Sequence, residues 1–255
     1  MYLVYLGESG NTGTSVNDTT QPHHVNTGLL IHESQAVSIS GEFDALYRRH
    51  FGRAQGEEGT PRYLRPAEIY QGTGHYVSWG VEKRHQLLQN CMDILIRRKT
   101  PVIISYVDKQ KFAQAKIDND GPAAVWEYPS EPVISRFLMA LNMLLDELVM
   151  VGLTSEQVMA SQWPVKDFAL VVAAEGSSIE PKLMSQFLKS DDGMDATALL
   201  ENFCFVGPDH SVGTQLSNMC AYFTRRWLQN PDSPQPYFDT LRDNDVIQVI
   251  YPVQV

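Results

Sequence analysis

With 255 residues, 43% of them hydrophobic, the chain holds enough apolar material for a substantial core, as one large domain or two small ones. Its 20 Lys and Arg stand against 30 Asp and Glu, and the net charge of −10 repels phosphate backbones, which disfavours passive nucleic-acid binding. Cys91, Cys204 and Cys220 are widely spaced without a C-x-x-C, and the histidines lack metal spacing, so the pattern argues against a disulfide framework and against zinc.

In chain order, "MYLVYL" predicts a strand over 2–6, and "ESGNTG" predicts a turn in which Gly10 and Gly13 supply permissive backbone. "HVNTGLLIH" (24–32) reads as the next strand, followed by a helix over 35–51, a polar loop at 53–63 and a helix over 80–98. "PVIISYV" (101–107) is a strand. A long helix over 123–151 carries Val133, Phe137, Leu141, Leu144, Leu145 and Leu148 on one stripe and stops at Gly152. "DFALVVAA" (167–174) and "FCFV" (203–206) are strands, separated by a helix over 179–189 and a loop over 189–198. A helix over 213–229 sets Leu216, Met219, Cys220 and Phe223 at core spacing; "NPDSPQPYFD" (230–239) is a loop leading to a last strand over 246–253. Strands alternating with helices predict an α/β fold, a mixed sheet flanked by helices with loop insertions. With no convincing linker, residues 1–255 are expected to form one domain. The longest apolar stretches fall short of the roughly 20 residues a membrane span needs, and the first residues lack a secretory pattern, so the expected compartment is the cytosol.

Several short patterns carry no chemistry. Asp209, His210 and Ser211 are triad residue types, but consecutive side chains do not line up as nucleophile, base and orienter. The glycines of "QGTGHYVSWG" miss the dinucleotide spacing, and the Asn17 sequon is irrelevant without secretion. Basic clusters at 47–53, 97–99 and 224–226 sit near helix carboxyl ends, where cations complement the dipole. Tyr63, Tyr70, Tyr76 and Trp79 are either core or interface anchors. Most informative are the acids at strand ends: Glu8, Asp108 and Glu175 close the first, third and fourth strands, where open α/β sheets gather ligands. Several converging carboxylates would suit Mg²⁺ or Mn²⁺.

The stretch "YLGESGNTG" resembles the "YxDESGNTG" opening of domain-of-unknown-function family 3800, a group with a ribonuclease H-like fold. The resemblance continues through "GTGHYVSWGVEKRHQLLQNCMDIL", "PVIISYVDK", "ALVVAAEGSS" and "FCFVGPDHSVGTQLSNMCAYFTRR", and so covers most of the chain. It implies an acidic cluster, yet where the family pattern has acids or an acid–serine pair this chain has Gly7, Ala174, Gly207 with Pro208, and Asn218. A carboxylate about 4 Å from a unit charge contributes roughly 4 kcal/mol at an effective dielectric near 20, so each loss weakens a divalent site substantially. Three readings follow. The first is a catalytically degenerate ribonuclease H-like protein, a pseudo-nuclease with no cofactor, which binds a protein partner or a nucleic acid held by that partner's basic surface. The second is an active Mg²⁺ or Mn²⁺ nuclease with Glu8, Glu175 and Asp108 in a rearranged site, which a bulge at Gly7 would permit. The third is a small-ligand or nucleotide module in the vacated pocket. The resemblance also suggests, by analogy, a mobile-element or phage-defence setting.

Overall fold

The apolar, β-branched runs assemble into one six-stranded sheet in the computed structural model, which describes residues 1–11, 18–120, 130–152, 169–177, 179, 199 and 203–253. β1 (Tyr2–Ser9) pairs antiparallel with β2 (His23–His32), from Tyr2 opposite His32 to Ser9 opposite Val25. β2 pairs antiparallel with β3 (Val102–Asp108). β4 (Ala169–Ala174) lies parallel to β1, β5 (Cys204–Val206) parallel to β4, and β6 (Ile247–Pro252) parallel to β3. The order is β5-β4-β1-β2-β3-β6, with β2 alone running against the rest. This is the α/β mixed sheet flanked by helices expected from the sequence.

Among the described residues the helices are α1 (Glu33–Phe51), α2 (Pro66–Gln71), α3 (Val81–Arg98), α4 (Lys109–Asp120), α5 (Ser130–Gly152), α6 (Val212–Gln229) and α7 (Pro236–Asp243). α6 lies across β1 and β2 on one face, backed by α1, α2, α3 and α7; α5 covers β2, β3 and β6 on the other. Alternation along β2 feeds both layers. Val25, Leu29 and Ile31 pack with Phe43, Leu87 and Leu216, while Leu30 turns the opposite way to meet Phe137 and Leu141. A strand buried on both faces needs a continuous apolar run rather than polar alternation, which is why "GLLI" fills its second half. The expected α5 stripe is buried at Val133, Phe137, Leu141, Leu144 and Leu145, each such side chain contributing roughly 1.5–3 kcal/mol.

The sequence reading needs correction at three places. α4 was not expected. α2 was not expected either, and the loop assigned to 230–239 gives way to α7 at Pro236, whose missing N–H is tolerated in a first helical turn. The expected helix over 179–189 and loop over 189–198, along with Gly13 and Asn17, lie outside the described residues, apart from Ile179 itself. No helix among the described residues is long and apolar enough to cross a membrane.

Candidate functional site

At the carboxyl ends of β1 and β4 the sheet opens into a cleft of about 360 Å³. α6 supplies one wall through Gln215, Asn218 and Tyr222, three residues that helical spacing places on one face. Tyr63 to Ala67, leading into α2, form a second wall, and Glu175 to Ser177 after β4 a third.

The cleft brings together Gly7, Glu8, Ala174, Glu175 and Asn218. Register explains the convergence. Tyr5 lies opposite Val172 in the parallel pair, so two further residues along each strand set Gly7 beside Ala174. Pro208 also lines the cleft, whereas Gly207 is not among the described lining residues.

Asp108 is elsewhere, a correction to its place among the site acids. β2 separates β3 from β1, so this acid is roughly 10 Å across the sheet, two strand spacings from β1. There its Oδ1 accepts the Gln110 and Lys111 N–H groups at 3.0 and 3.1 Å and caps α4. Asp108→Ala is therefore expected to lower stability by about 1 kcal/mol in urea unfolding while leaving ligand binding in the cleft unchanged.

Gly7 is where the helix layer comes closest. A Cβ at this position would stand 2.6 Å from the Ser217 carbonyl oxygen, and nearer still to Ser217 C and the Asn218 amide nitrogen. One turn earlier, a Cβ on Gly213 would run into the Tyr5 ring. α6 is bonded down at this crossing. Thr27 Oγ1 donates to Ser217 O at 2.8 Å, Ser217 Oγ bonds Thr27 O at 3.0 Å, and the Glu8 N–H donates to Asn218 Oδ1 at 2.9 Å. No group of three or more His, Cys, Asp or Glu suited to a metal occurs among the described residues. In the cleft itself, Glu8 and Glu175 are the carboxylates among the described lining residues, position 7 has no room for a side chain, and the Asn218 amide oxygen is already engaged. These donors do not fit a two-metal centre, which needs several converging carboxylates.

Sequence reasoning missed most of the polar groups that line the cleft. Gln215 accepts the Leu64 N–H through Oε1 at 2.9 Å, and its buried Nε2 has no acceptor among the described residues. Ser177 Oγ is likewise buried and has no partner among the described residues. Arg65 pairs with Glu68 at 3.2 Å and lies over the Tyr63 ring, 4.7 Å from its centroid. The available signal was the i, i+3, i+7 spacing of Gln215, Asn218 and Tyr222, masked by the apolar residues interleaved with them.

The other candidates resolve into structure. Ser211 Oγ accepts the Thr214 N–H at 3.2 Å as the α6 cap, so the Asp-His-Ser string is a turn followed by a helix start. Tyr76 is fully buried, Tyr70 carries the Arg226 guanidinium 4.1 Å above its ring, and Trp79 packs on Tyr76 with Lys83 over its own ring. Of the four aromatics, Tyr63 alone lines the cleft. Arg225 does more than complement a dipole: its Nε bonds Ser9 Oγ at 2.9 Å and its Nη1 donates to Thr20 O at 3.3 Å, tying the β1–β2 connection to α6. Burial raises the Cys91 thiol far above its ordinary range and the Cys220 thiol to about 12, so neither is a nucleophile.

Compared with models of protein families, with curated proteins and with solved structures, the chain matches none.

Proposed function

We propose that this chain is a ribonuclease H-like pseudo-nuclease that works by binding, with the cleft at the ends of β1 and β4 as its recognition site. A protein, or an assembly containing nucleic acid, is the partner. One observation carries the proposal. At the first-strand position where the resemblance implies an acid, the space for its side chain is filled by the α6 backbone at Ser217 and Asn218. A lost ligand whose pocket stays open is restored by one substitution; here strand and helix have closed together. The acidic charge of the whole chain, −10, also weakens any grip on a polyanion without help from a basic partner.

The test is calorimetric titration with Mn²⁺ and Mg²⁺ alongside a nuclease assay on single- and double-stranded substrates. The binding reading expects no association tighter than millimolar and no cleavage. The alternative of a rearranged nuclease draws on the presence of both Glu8 and Glu175 in the cleft. It expects micromolar metal binding and cleavage abolished by Glu8→Ala, and that result would overturn the proposal.

A further inference from the structure

The two side-chain amides of the cleft are oriented by the backbone. A main-chain N–H is only a donor, so the amide atom facing it must be oxygen. Leu64 N–H holds Gln215 by Oε1 and Glu8 N–H holds Asn218 by Oδ1, both at 2.9 Å. The NH₂ groups are therefore turned away from these anchors, on residues one helical turn apart that line the same cleft. Among the described residues Gln215 Nε2 has no acceptor although Gln215 is only 2% exposed, and Ser177 Oγ, across the cleft, has no partner either. Buried donors left unmatched are unfavourable, and a ligand bringing acceptors removes that penalty.

The kind of acceptor is narrowed by charge and by shape. Glu8 and Glu175 line the cleft with Arg65 as the cation on its wall, and Arg65 is already paired with Glu68, so a phosphate gains little here. The apolar lining, which includes Leu64, Pro66, Ile179, Pro208 and the Tyr63 ring, suits the faces of a flat ring better than a hydroxyl-covered sugar. We propose, building on the binding reading above, that the cleft takes a neutral carbonyl-bearing heterocycle of the nucleobase class. Gln215 Nε2 and Asn218 Nδ2 donate to acceptors on its edge, and Glu8 or Glu175 accepts from a ring N–H. The base is either that of a free nucleoside or an unpaired one in a single strand.

Calorimetric titration of the full chain with uridine, uridine monophosphate, a short oligouridylate and neutral hexoses separates the sources. Saturable binding of uridine, no stronger for the monophosphate, assigns the free nucleoside; binding of the oligonucleotide alone assigns the unpaired base. Either must fall at least tenfold in Asn218→Asp, which keeps an oxygen for the Glu8 N–H but replaces the donor with an acceptor. Gln215→Glu tests the same exchange at the second amide, and circular dichroism checks that both variants are folded. Absence of binding to uridine and oligouridylate, binding carried by phosphate or by hexoses, or affinity untouched in both variants overturns this proposal. With no metal-dependent cleavage, those outcomes leave the binding reading standing; cleavage in Mn²⁺ removes that reading itself.

Discussion

Gly7→Ala is expected to lower stability by about 3 kcal/mol, and so the melting temperature by about 6–12 °C in a chain of this length. The added methyl falls on main-chain atoms of Ser217 and Asn218 rather than on a side chain able to swing aside. α6 is fastened by the reciprocal Thr27–Ser217 bonds and by Glu8 N–H on Asn218, so it cannot withdraw without breaking them. Gly7→Asp is expected to be worse, since the larger group meets the same atoms and desolvates a charge. Ala174→Ser, next along the sheet but on the open cleft, should change stability by less than about 1 kcal/mol. Differential scanning calorimetry on the three variants is the measurement. A Gly7→Ala protein that melts with the parent would mean that α6 is not seated on β1 as described.

Acidification from pH 6.5 towards 4 is expected to remove about 3 kcal/mol of stability through His24 alone. Burial, followed by the nearby Lys109 charge, lowers the His24 pKa from its ordinary 6.5 to about 4. Its Nε2 is buried with no hydrogen-bond partner among the described residues. The sign follows from proton binding. Between the two values the unfolded chain takes up a proton that the folded chain refuses, so the contribution is present above about 6.5 and lost as pH falls towards 4. The half-buried His23, also lowered chiefly by burial, acts in the same direction. His24→Leu should flatten the pH dependence of the urea-unfolding free energy in this window. An unchanged slope would mean that His24 is not held neutral by burial.

The fold was legible in the sequence wherever period and composition agreed. "VIISYV" and "GLLI" have no competing helical period, and the α5 stripe has no competing strand period, so each falls where expected. α4 was hidden because "KQKFAQAKIDND" has almost no apolar face and because its cap, Asp108, looked like a site acid. Prolines concealed α7, since Pro236 looks like a breaker unless the start of the helix is already known. In the cleft, the motif comparison named Gly7, Ala174 and Asn218 as positions of interest but described Gly7 only as an absence. That its missing side chain makes room for a helix backbone is a tertiary fact, set by residues about 210 positions away. The pinned amides were equally unreadable, because the groups that hold them, Leu64 N–H and Glu8 N–H, are main-chain atoms that no residue type encodes.

The contact between Gly7 and the Ser217–Asn218 backbone also constrains the history open to this protein. A carboxylate arriving at position 7 meets the helix backbone at once, so building an acidic centre from this position starts with a destabilising step. It becomes tolerable only after compensating changes at the crossing, such as loosening the Thr27–Ser217 pair. The close packing thus acts as a barrier, with each refinement of the interface lengthening the mutational path to an acid at this position.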